Sequence, residues 1–422
     1  PRLINRYTCK SHHYIVECSE YKRRIYIMNK TKLSSYKTQK AAKKFSRRTA
    51  LKRGAAVAAL VGTGPLFVKN AFAGSGVVSV YAWMDYIQPN IVEAFEKASG
   101  IKVNLATFGS NDEAEQKTKA SQGKGFDVIF PSVTNGNNYQ DPSAPNGIWL
   151  GKIDEQKAAP ALNAIIPSFL RDSIELGATF RGDRYLLPFD WGTEGITFNS
   201  AKKPMSDGDI SYGSLWDADA KGKVSFRQKS IIMGTGLYLD SIGVVPSNRM
   251  LDVYKTEEDA HRVWGAVTDW IVERKDQFGA FWNNATEATS AFKDAGVIIG
   301  QTWDTTGLLL NQENPDYKFR APKEGIITWL DSCGLTAGAE NIDEAYEFIN
   351  FIYTPEIGGM FANNTGYNSA VAGSDAFTSD TYKRQFAEVY TPDVLSNMWW
   401  WQADTPWFAS ARNKYVDIIS NS

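Results

Sequence analysis

The chain predicts an α/β fold, and three observations carry that reading. Short apolar segments alternate with segments of helical period. The strands are brief and nearly all apolar, as in buried parallel sheets. The 349 residues after Ala73 hold one cysteine, Cys333, so a hydrophobic core and not a disulfide must hold the fold. A chain of that length divides its core more readily than it enlarges one.

The elements follow in order. Val77–Trp83 predicts a strand, and Ile91, Val92, Phe95 and Ala98 recur at helical spacing until Gly100 stops them. Ile101–Leu105 alternates as a strand, a polar helix runs over about 112–122, and Phe126–Phe130 is a short buried strand. Strand–helix–strand–helix–strand implies right-handed crossovers. The segment 135–147 is rich in Asn, Gly and Pro and predicts a loop. A second α/β block begins at strand Lys223–Arg227, which leads into a helix from Ser230. Helices are predicted over about 257–275 and 287–294, and a strand over 297–300. The amphipathic segment 340–353 must end at Thr354-Pro355 because proline cannot continue it.

Ahead of these elements lies an export signal of the twin-arginine type. Ser46-Arg47-Arg48-Thr49 precedes an apolar Gly/Ala-rich run, 54–68, which ends in Ala71-Phe72-Ala73, a small-x-small cleavage site. That run holds three glycines and a proline and is shorter than the ~20 apolar residues a membrane span needs. Cleavage after Ala73 and a periplasmic mature protein are expected, with 28–73 as the leader. Residues 1–27 read as upstream translation or a disordered segment. Their Cys9, His12, His13 and Cys18 have no zinc-site spacing.

Charge then excludes partners. Of 46 Lys+Arg and 47 Asp+Glu, 17 and 2 lie in residues 1–73, leaving 29 against 45 and a net charge near −16. Such a surface argues against nucleic acid and anionic lipid. Past the leader His261 is the only histidine, so Ser-His-Asp, Cys-His and histidine-rich metal chemistry have no material. No nucleophile elbow, H-E-x-x-H, Walker or dinucleotide motif is present. A binding protein without catalytic residues, metal or cofactor is the expectation. The alternative is a secreted enzyme on the same fold, with an acid/base pair drawn from Asp85, Asp190, Glu194, Asp304 and Asp331.

Several segments resemble one family. Y-A-W-M-D-Y-I-Q-P-N from Tyr81, F-D-V-I-F-P-S from Phe126 and L-P-F-D-W-G-T-E-G-I-T-F-N from Leu187 are similar to periplasmic spermidine/putrescine-binding proteins. So are G-Q-T-W-D from Gly300, P-K-E-G-I-I-T-W-L-D-S from Pro322, E-A-Y-E-F-I-N-F-I-Y-T-P-E and N-T-G-Y-N from Asn364. The resemblance covers most of residues 76–405. It implies a two-lobed periplasmic binding protein (type II), each lobe a sheet flanked by helices, with ligand in the interlobe cleft. Lobe 1 would hold 76–193 plus 302–356, and lobe 2 194–301 plus 357–422. It also implies a monomeric receptor serving the permease and ATPase subunits of an ABC importer.

The resemblance further implies site residues: Trp83, Asp85 and Tyr86 from W-M-D-Y; Ser132 from P-S; Trp303 from T-W-D; Asp331 from W-L-D; Tyr367 from T-G-Y; Trp401 and Gln402 from W-W-Q. Tryptophan faces attract organic cations by ~0.5–2 kcal/mol each, and carboxylates neutralise them. Some of the 13 tryptophans must instead be core. Two departures bear on the ligand. The acidic stretch the family carries in lobe 2 is here Ser225-Phe226-Arg227-Gln228-Lys229-Ser230, and its aromatic after P-S is replaced by Val133-Thr134. Arg227 ahead of a helix suits a carboxylate. The expected ligand is therefore a zwitterion or onium compound of the betaine, dimethylsulfoniopropionate or ω-amino acid kind, its onium among Trp83, Trp303, Trp401 and Trp191 or Trp329. An ordinary polyamine is the competing expectation.

Overall fold

The computed structural model describes residues 76–405 and 407–422. The leader and the upstream cysteines and histidines lie outside the described residues.

β1 (Val77–Trp83) leads to helix α1 (Pro89–Ser99), whose Pro89 occupies the first turn, where no N–H is missed. Ile91 and Phe95 form its buried face, and Phe95 meets Phe348 and Phe351 edge-on at 5.1 and 5.3 Å. Gly100 ends the helix with φ 79°, a conformation cheap only for glycine. β2 (Lys102–Phe108) runs three residues beyond the predicted strand and pairs parallel with β1. α2 (Asn111–Ala120) opens on a reciprocal cap. The Ser110 hydroxyl accepts from Glu113 N–H at 3.2 Å, and the Glu113 carboxylate accepts from Gly109 N–H at 2.9 Å.

The remaining principal strands are β3 (Val128–Ile129), β4 (Leu186–Asn199), β5 (Val224–Arg227), β6 (Phe278–Trp282), β7 (Ile299–Trp303) and β8 (Ile327–Thr336). They form one sheet in the order β2-β1-β3-β8-β4-β7-β5-β6. β1, β2 and β3 are mutually parallel, as are β7, β5 and β6, while β4 and β8 run antiparallel between these groups. β4 is buried along all 14 residues and joins the two groups through both of its edges. Neither β4 nor β8 is among the strands read from the sequence.

Two principal hydrophobic cores flank the sheet. One contains Tyr81, Phe108, Ile129, Trp191, Phe319 and Tyr390. The other contains Phe198, Phe226, Trp264, Ile299, Phe408 and Ile419. Part of 357–422, expected with lobe 2, packs in the first of these cores. Phe361 meets Tyr86 and Phe189 at 5.5 and 4.9 Å, and Val389 and Tyr390 join the first core. Only toward the C-terminus, with Trp399 and then Phe408 to Ile419, does that stretch enter the second core. The helix predicted to 353 spans Ile342–Ile352, and Pro355 begins the next helix.

Candidate ligand-binding site

A cleft opens beyond the carboxyl ends of the parallel strands, where open α/β sheets hold their ligands. Trp83 closes β1, Phe108 closes β2, Arg227 closes β5 and Trp303 closes β7, and all four line it. Nine of the eleven sequence-predicted residues meet there: Trp83, Asp85, Tyr86, Ser132, Arg227, Trp303, Asp331, Tyr367 and Trp401.

Aromatic rings form a continuous wall. Trp83 and Tyr86 lie 6.3 Å apart, Tyr86 and Tyr367 6.0 Å, Tyr367 and Trp329 5.7 Å, and Trp329 and Trp303 6.2 Å. Trp329 can lie against the sheet because Gly192 has no side chain. A Cβ at Gly192 would stand 2.2 Å from the Trp329 ring.

The acidic side is set by Asp331 and Asp85. Tyr86 donates its hydroxyl to Asp331 Oδ2 at 2.6 Å, and Ser132 adds a hydrogen bond. Ser132 is itself held by Asn111, which donates to its hydroxyl at 2.8 Å and accepts from its N–H at 2.9 Å. Burial holds the Asp331 carboxyl up to about 6 against those bonds and the Arg227 charge. Asp85 carries no hydrogen bond or ion pair on its carboxylate among the described residues, and burial raises its pKa.

The basic side is largely occupied by the protein's own groups. The Arg227 guanidinium lies 4.6 Å over the Trp303 ring and donates to Glu194 Oε2 at 3.4 Å. Glu194 is fully buried and also accepts from Gln301 at 2.6 Å and from the Ser230 hydroxyl. Lys229 pairs with Asp112 at 2.6 Å. Burial lowers the Lys229 pKa. Asp112 is held below its usual range, because Lys229 and Arg412 outweigh the burial that would raise it.

Two predicted residues are placed elsewhere. Trp191 is 7 % exposed and packs on Phe169, Phe386 and Tyr390 in the first core. Successive residues of a strand face opposite ways, and the neighbouring positions turn Trp191 from the cleft. Gln402 donates its amide to Trp400 C=O at 2.7 Å and does not line the cleft. A third expectation changes in kind: the Trp303 face expected to meet an onium group lies under Arg227. Sequence reasoning missed Asn111, Asp112, Asp404 and Arg412, which all line the cleft. Asn111, Asp112 and Arg412 sit in polar, ordinary-looking segments, and Asp404 follows the tryptophan run 399–401 with no spacing to mark it.

Comparison with known proteins follows this geometry. The family model described as bacterial extracellular solute-binding protein matches residues 90–387. The chain belongs to that family. The putrescine-binding periplasmic protein of Escherichia coli is 26 % identical over 367 residues, covering 84 % of this chain and 92 % of its own length. The spermidine/putrescine-binding periplasmic protein of the same organism is 26 % identical over 290 residues, covering 68 % and 75 %. Among solved structures, the spermidine/putrescine ABC transporter substrate-binding protein of Streptococcus pneumoniae superposes with a TM-score of 0.63. Its identity is 22 %, and the match covers 82 % of this chain and 98 % of that one. These relatives match the resemblance read from the motifs, and the fold is that of the periplasmic binding proteins.

Proposed function

We propose that this solute-binding protein captures a small organic cation for an ATP-driven importer, working with permease and ATPase subunits after export to the periplasm. The observation that carries the reading is the charge left over in the cleft. Arg227 and Lys229 already face Glu194 and Asp112, while among the described residues the Asp85 carboxylate has no partner and Asp331 keeps one oxygen without one. An uncompensated carboxylate in an aromatic cleft is costly until a cation arrives. Putrescine and spermidine, named for the relatives, are cations of that kind. The ligand would lie among Trp83, Asp85, Tyr86, Ser132, Trp329, Asp331, Tyr367 and Trp401, between lobes built on the two cores.

One observation favours a second reading, in which the ligand also carries a carboxylate. A guanidinium has five N–H donors, and among the described residues the Arg227 side chain makes one hydrogen bond, at 3.4 Å. Arg227 lines the cleft, and its other donors suit a betaine or ω-amino acid.

Replacing Arg227 separates the readings. Arg227→Gln leaves putrescine affinity within about threefold if a cation alone is bound. A carboxylated ligand would lose tenfold or more, since a charge-assisted hydrogen bond contributes about 1.5–3 kcal/mol. A protein that binds neither putrescine, spermidine, a betaine nor an ω-amino acid, by calorimetry, contradicts both readings.

A further inference from the structure

Asp190 has a place in this site that neither its strand nor the aromatic wall explains. It is paired directly with Asp331 across β4 and β8. Opposed residues of an antiparallel pair carry their side chains on one face, with Cβ atoms about 5 Å apart. Asp190 is fully buried, and Asp331 is 3 % exposed. Three of the four carboxyl oxygens accept no hydrogen bond among the described residues: both of Asp190 and Oδ1 of Asp331. The served oxygen is Oδ2 of Asp331, which accepts from Tyr86, with Ser132 the other donor to that carboxyl.

Two ionised carboxylates so placed would face each other with donors directed at Asp331 alone and none on either Asp190 oxygen among the described residues. Like charges sharing a site do not both ionise readily, and a single proton between them supplies the missing donor. The groups around the pair offer no alternative. Tyr86 from the loop after β1, Tyr353 at the end of the Ile342–Ile352 helix and Tyr367 ahead of Asn368 are phenols whose own pKa values burial drives up. Asp304, at the start of its helix, adds negative charge, and Arg227 is the cation that acts on the pair, at Asp331. Asp85 faces Tyr367 and brings no donor. Asp331 lines the cleft, and Asp190 lies behind it.

We propose that Asp190 is a positioning residue that shares one proton with Asp331, so that the pair carries one negative charge in the empty site and capture of a cation expels that proton. The proton leaves through Asp331, the member in contact with the cleft. This rests on the cation reading above and adds a second property to it. Cation affinity should rise with pH while the pair still holds its proton.

Two measurements on the full protein test it. Infrared spectra near pH 7 should show a neutral carboxyl C=O band in the parent that D190N lacks and D331N, which leaves Asp190 buried alone, retains. If D190N fails to fold, D190L takes its place in the same comparison. Identical bands in the parent and the position-190 variant overturn the shared proton. Calorimetry with putrescine, run in two buffers of different ionisation enthalpy, should show proton release in the parent and none in D190N. Putrescine binding without proton release in the parent overturns the coupling. Should putrescine not bind at all, the cation reading fails and the proposed coupling fails with it, while the infrared comparison still decides the shared proton.

Discussion

Asp85, carried over from the resemblance, and Trp191, placed beside the expected onium group, behave very differently in the structure. The Asp85 carboxylate lines the cleft without a partner among the described residues, so Asp85→Asn removes charge where a cation needs it. We expect putrescine affinity to fall about tenfold or more with thermal stability kept or raised, because burial disfavours the ionised carboxyl. Paired titration and melting of this variant check it. Trp191 is core, packed edge-on against Tyr390 at 5.3 Å. Trp191→Ala should cost about 3–5 kcal/mol of stability, and the fraction that stays folded should bind unchanged. A weakened Kd with an intact melting curve would restore Trp191 to the site. From sequence the two look alike, since a tryptophan beside an acid is as good a wall as it is a core residue. The alternation along β4 decides, and β4 itself was not legible.

At the scale of the element, β4 and β8 explain why. The β4 sequence L-L-P-F-D-W-G-T-E-G-I-T-F-N carries a proline, two glycines and two acids, the residues strands avoid. Tertiary context overrides that composition. Asp190 lies against Asp331, Glu194 is satisfied by Gln301, Ser230 and Arg227, and Gly192 lets Trp329 approach. The β1–α1–β2–α2 unit was legible because its signals agree: alternation over 101–105, helical period in 91–98 and the stop at Gly100. Gly192→Ala should therefore push the Trp329 ring out of the wall, lowering affinity at least tenfold and shifting tryptophan emission. Unaltered affinity would show that Trp329 does not shape the site. The Lys229–Asp112 pair ties the N-terminus of α2 to the segment after β5. Both side chains are about a quarter exposed, so the pair should contribute no more than about 1 kcal/mol. Lys229→Gln should raise the ligand off-rate a few-fold, an effect that shrinks with added salt if the pair holds the cleft shut. Stopped-flow release at two ionic strengths measures it.

For the whole molecule, buried acids set the pH response. Burial pushes Asp304 up to about 7, although it accepts from Thr193 N–H at 2.9 Å, Tyr390 at 2.7 Å and Thr305 N–H at 2.9 Å. A carboxyl raised above its unfolded value of about 3.9 binds more protons folded than unfolded between the two values. Stability is then full below about pH 4 from this group and is lost as pH rises toward 7. Asp190, whose carboxyl burial also raises, adds to that slope. Asp304→Asn should flatten the fall, and melting curves from pH 4 to 8 would contradict this if parent and variant run parallel. The α/β class and most cleft residues were legible from local pattern and motif. Charge pairing was not, since Arg227 meets Glu194 only after β4 and β5 are brought to the same sheet through β7.

The central claim is that unpaired carboxylates in an aromatic cleft hold an organic cation. Titrating the purified protein with putrescine, spermidine, glycine betaine, dimethylsulfoniopropionate and γ-aminobutyrate tests it most directly, read by tryptophan fluorescence and confirmed by calorimetry. Micromolar or tighter binding of at least one of these cationic compounds, weakened by Asp85→Asn, is the predicted result. No binding across the panel, or binding indifferent to Asp85, would contradict it.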